Sequence, residues 1–157
     1  MKALLLSALL LMQGPHADVG RHVQGGDYVE ALAAAQTAEG AERSLLITWT
    51  RHQAGDLQGA LEEAAAGLAE HPHDLLLLEQ ATWISASLHR GRESMAYAQR
   101  LQLLGHPSAD TFIADARAIL LIADEVRAAR IRSHVLLGAC SLLALLVAWW
   151  GARPVTA

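Results

Sequence analysis

The chain has 157 residues, 53% of them hydrophobic, a mean hydropathy of +0.25 and a net charge of −4. Between Asp18 and Arg132, ten Arg stand against sixteen Asp and Glu, so no basic patch fit for a phosphate backbone exists and nucleic acid is disfavoured as a partner. The single cysteine, Cys140, excludes a disulfide framework and a thiolate metal site within one chain.

The apolar residues gather at the two ends. Met1-Lys2 and the apolar residues 3–12 have the form of a secretory signal, a positive start and a run too short to span a bilayer. Residues 1–17 are therefore expected to be a signal peptide, although cleavage after Ala17 would put Pro15 where a small residue is preferred. The other reading is a short apolar helix packed on the domain.

Periodicity and stop signals then predict helices over 16–25, 27–39, 41–54, 57–70, 74–89, 92–104 and 109–150. Two landmarks recur. Thr48-Trp49 and Thr82-Trp83 lie 34 residues apart. A Gly followed five residues later by Ala appears as Gly26 with Ala31, Gly55 with Ala60 and Gly91 with Ala96, and Pro72 closes the second copy seventeen residues after Gly55. Gly releases a helix end, a small side chain lets helix axes approach, and Pro cannot continue a helix.

On these residues the segment 18–108 resembles tetratricopeptide (TPR) repeats, which are stacked antiparallel helix pairs. The resemblance implies an all-α, short TPR-like solenoid of helical hairpins. The spacing of Gly55 and Gly91, 36 residues, makes the first helix of the third copy longer than the repeat demands. The resemblance also implies a concave groove for a protein or peptide partner, lined by the first helix of each pair. The positions it carries over are Glu42, Leu45, Trp49, His52 and Gln53 in one repeat, and Glu79, Trp83, Ala86 and Ser87 in the next. Trp49 and Trp83 share a repeat position, so their indoles are expected either to stack in the groove or to pack between neighbouring first helices. No Lys or Arg occupies these positions, which argues against a ligand ending in a carboxylate.

Gly105-His106-Pro107 ends the repeats, and Ser108 is placed to cap the next helix. Over 109–132, Phe112, Ile113, Ala116, Ile119, Leu120, Ala123 and Val126 form one apolar stripe, expected to close the stack as a capping helix. Residues 133–152 carry no charge and are expected to form a single transmembrane helix, with Trp149 and Trp150 as an aromatic belt and 153–157 as a short tail. A small-residue seam of Cys140, Ala144 and Ala148 would suit a membrane-helix partner. Arg127, Arg130 and Arg132 favour a cytoplasmic repeat domain, while an N-terminal signal favours export, and export into the bacterial cell envelope is the expectation here.

No phosphate loop, nucleophile elbow or zinc-protease motif is present, and His71-Pro72-His73-Asp74 lacks the spacing of a metal site. The expectation is a scaffold or adaptor anchored in the inner membrane, without cofactor, metal or catalysis. In its order of parts it resembles the TPR proteins of bacterial aerotolerance-type operons. The alternative is a cytoplasmic, tail-anchored receptor that recruits clients to the membrane.

Overall fold

The computed structural model describes residues 17–151, with 138–139 and 144–151 described by backbone alone. Within them lie seven helices and no strand: α1 (Ala17–Gly25), α2 (Tyr28–Ala35), α3 (Gly40–Gln53), α4 (Leu57–Glu70), α5 (Leu75–Ser87), α6 (Gly91–Leu103) and α7 (Ala109–Gly151). The expected signal peptide lies outside the described residues, apart from Ala17, the first residue of α1.

Three helical hairpins follow one another, α1–α2, α3–α4 and α5–α6, and their inner turns are built alike. Gly26, Gly55 and His89 take the left-handed conformation at φ 82°, 82° and 56°. Their N–H groups donate three residues back, to the carbonyls of Val23, His52 and Ala86. The next N–H groups, of Asp27, Asp56 and Arg90, donate five residues back, to His22, Arg51 and Ser85, all at 2.8–3.1 Å. This Schellman arrangement satisfies carbonyls that a helix end would leave unpaired. Asp56 also caps α4, accepting from the N–H of Gly59 at 2.9 Å, and Asp74 caps α5, accepting from Leu77 at 2.8 Å. Each such cap contributes about 1 kcal/mol.

The third turn departs from the sequence expectation. It is centred on His89 and not on Gly91, which is the first residue of α6. The small residue buried against the first helix is accordingly Ser94, while Ala96 is exposed. His89 stands 34 residues after Gly55, and Ser94 34 after Ala60, so the repeat length is kept and no first helix is lengthened. A histidine tolerates the left-handed region poorly but does occur there, which hides the turn from a search for glycine.

First helices touch one another, α1 with α3 and α3 with α5, and α2 and α4 each also pack on the first helix that follows them. The second helices have no comparable contact among themselves. The result is one continuous layer of α1, α3 and α5 backed by spread second helices. Two apolar cores result. Leu45, Leu61, Leu68, Leu77, Leu78, Ile84 and Leu101 form one, and Val19, Ala31, Ala35, Leu46 and Ile47 the other. A close approach of three helices lies at Gly67 of α4, where a Cβ would stand 2.6 Å from Ser44 Cβ of α3 and 3.1 Å from Leu77 Cδ1 of α5.

The capping stripe is only partly used. Ala109 and Phe112 join the larger core and Ala116 is buried, but Ala123 and Val126 are exposed. The hairpins with the start of α7, to Ile119, make one compact unit, and the chain from Leu120 onward makes a second.

Among the described residues no helix is long and apolar enough to cross a membrane. This corrects the expected transmembrane helix over 133–152 and the single-pass inner-membrane placement that rested on it. Charged residues recur along α7 as far as Arg132. Trp149, Trp150, Ala144 and Ala148 lie outside the described side chains, and Arg153 and the tail outside the described residues. Cys140 is exposed.

Two stability changes follow from this packing. Gly67→Ala should destabilise by about 1–3 kcal/mol, because the crowding at Ser44 outweighs the helix propensity gained, which is about 1 kcal/mol. His89→Gly should stabilise by about 0.5–1 kcal/mol, the left-handed strain relieved less the entropy of glycine. Urea denaturation of both variants checks these signs.

Candidate partner-binding face

The layer of first helices leaves one side of α3 and α5 uncovered. On α5, Leu76 and Trp83 are 45% and 44% exposed, seven residues apart and so on one face of the helix. Leu77, Leu78, Ala81 and Ile84 fill the other side at 0% exposure. A run of four leucines is thus divided by helix geometry: Leu75 and Leu76 open, Leu77 and Leu78 closed.

Trp83 meets His52 of α3, with ring centroids 6.0 Å apart and planes at 89°, the edge-to-face geometry that an aromatic quadrupole favours. Half-burial of His52 disfavours its charged form and lowers its pKa below the ordinary 6.5. The imidazole is therefore neutral at neutral pH and meets the indole without a charge. Ser87, one turn on, turns its hydroxyl back to the Trp83 carbonyl at 3.0 Å.

The two indoles do not stack on each other. Trp49 is half-buried and packs against the smaller core, while Trp83 meets His52. Of the remaining positions carried over from the resemblance, Leu45 does not face a groove. It is 6% exposed and belongs to the larger core, because α3 is buried on two sides. Glu42 and Gln53 are exposed at the two ends of α3, and Ala86 is half-buried.

Glu79 is committed elsewhere. Its Oε2 lies 4.0 Å from Nε2 of His106, whose ring stacks on Phe112 at 6.4 Å and 29°. Sequence reasoning missed Leu76 and His106. The first is masked by its leucine neighbours, and the second is brought to Glu79 only by the chain reversal at Gly105. Among the described residues, no three His, Cys, Asp or Glu side chains converge to hold a metal ion.

No family model matches the sequence, and no curated protein or solved structure matches it either.

The lowered pKa of His52 gives stability a pH dependence. Above about 6.5 both folded and unfolded chains hold this group neutral. As pH falls below that value the unfolded chain takes up the proton first, so stability drops until the folded pKa is also passed. In His52→Gln this component is gone. The fall in Tm between pH 7.5 and pH 5 should therefore be smaller than in the wild type, as thermal melts followed by circular dichroism would show.

Proposed function

We propose that this chain is a protein-interaction module of the tetratricopeptide type, which binds a partner segment along the layer of α1, α3 and α5 and performs no chemistry of its own. The observation that carries this reading is the half-open indole of Trp83, held edge-on to neutral His52 with Leu76 two turns away on the same face. A large, rigid aromatic surface left open beside an aliphatic one suits an apolar side chain in an extended peptide. The indole orders at small entropic cost and releases water when covered. Exposed Glu42 and Gln53 at the margins fit a polar rim of the kind that surrounds such anchors.

A catalytic reading has little to build on. The shift resolved at this face, that of His52, has burial as its cause and no charged partner.

Selection from a random peptide library, followed by calorimetry with the enriched sequences, tests the proposal. Enriched peptides should carry apolar residues, and Trp83→Ala should weaken them by roughly tenfold to a hundredfold at unchanged helicity. Val29→Ala, on the exposed side of α2, should leave affinity unaltered. An absence of enrichment, or peptides indifferent to both Trp83→Ala and Leu76→Ala, would sink the reading.

A further inference from the structure

The second unit contains a long helical stretch whose apolar side chains, among the described residues, lie exposed. Ile122, Val126, Leu136 and Leu143 are 55–66% exposed, and Cys140 is exposed as well. Scattered apolar residues on a surface need no explanation, but a contiguous row along about five turns does.

The row has a heptad spacing. With Val126, Ser133 and Cys140 at a, positions d fall on Ile122, Ala129, Leu136 and Leu143. Seven registers are available to any heptad pattern, and between Leu120 and Leu143 the other six each place an Asp, Glu or Arg on the seam. This one places none. The polar Ser133 already donates its hydroxyl to the Arg130 carbonyl at 2.7 Å, so its burial leaves no donor unpaired.

The flanking positions are complementary. Glu125 falls at g and Arg130 at the following e, the two positions that meet across a parallel pair of helices. Among the described residues, neither has an ion partner in its own chain, whereas the neighbouring Asp124 and Arg127 are paired with each other at 3.6 Å. The other crossing from g to e, Arg132 to Leu137, sets no like charges together.

We propose that α7 beyond Leu120 is the dimerisation element, and that its occupant is a second copy of this chain in a parallel two-stranded coiled coil. Glu125 of each copy meets Arg130 of the other, and the two Cys140 side chains face each other at one a layer. An antiparallel pair on the same seam, with Cys140 against Ile122 and Leu136 against Val126, would set Arg130 beside the other copy's Arg130 and Arg132 beside its Arg132, and would separate Glu125 from Arg130. The dimer would join two copies of the partner-binding face in one assembly.

The test uses the full chain, with sedimentation over a range of concentrations and non-reducing gels after oxidation by copper–phenanthroline. The expected result is a dimer that oxidises to a Cys140–Cys140 disulfide, two thiols giving up two protons and two electrons to the oxidant. Val126→Asp puts two carboxylates into the seam and should weaken the dimer by at least a hundredfold, on the order of the cost of burying unpaired charge. Because Val126 is exposed outside the hairpin cores, the helicity and melting of the hairpins should not change. Arg130→Glu should cost roughly tenfold, and the double exchange Glu125→Arg with Arg130→Glu should recover it. A monomer at every concentration overturns the proposal. A dimer that forms no disulfide overturns the parallel register. A dimer, or a disulfide, that persists in Val126→Asp arises elsewhere and overturns the seam.

Discussion

The two-sided burial of α3 is the constraint on which the hairpin unit depends. Leu45 enters the larger core while its neighbours Leu46 and Ile47 enter the smaller one, so a single helix joins both. A helix that packs on one face shows a single apolar stripe, whereas α3 is buried continuously from Ser44 through Thr48 and again at Thr50. That burial brings polar atoms inside. Thr50 donates its hydroxyl to the Leu46 carbonyl at 2.8 Å, whereas the buried Thr48 hydroxyl has no partner. Burying each aliphatic side chain contributes roughly 1.5–3 kcal/mol, enough to outweigh one unpaired hydroxyl.

From this central helix the remaining order follows. The pivot at Gly67 sets α4 close enough to touch both α3 and α5, so α5 inherits its orientation from contacts made one hairpin earlier. Left-handed turns at Gly26, Gly55 and His89, and again at Gly105, reverse the chain with the same hydrogen bonds each time. Repetition of one turn and one packing step is what makes the first helices a continuous layer, and only a continuous layer can offer side chains from α3 and α5 to one ligand.

His52 and Trp83 illustrate how the face acquires its chemistry. Neither residue is special alone. Held at 6.0 Å across two helices, the imidazole is half withdrawn from water and kept neutral, and the indole is held by that contact while much of its surface stays open. The same repeat position one hairpin earlier gives a different outcome, since Trp49 finds aliphatic partners and becomes part of a core.

Much of the local architecture was legible from the residues alone. Helices ending at Gly25, Gln53, Glu70 and Leu103 lie within a residue or two of the predicted ends, because Gly, Pro and Asp mark turns and caps through local backbone energetics. The 34-residue period was visible in the two Thr-Trp pairs for the same local reason. Non-local matters were not. A left-handed histidine at 89 stood where glycine was sought, and Leu45 read as a groove residue because one sequence period cannot express burial on two sides. The span over 133–152 read as transmembrane from composition, whereas among the described residues no helix is long and apolar enough to cross a membrane. Sequence determines where a helix starts and stops and which residues are apolar; which apolar residues are covered, and by what, is decided only when other helices arrive, because burial is a property of neighbours that no residue carries in itself.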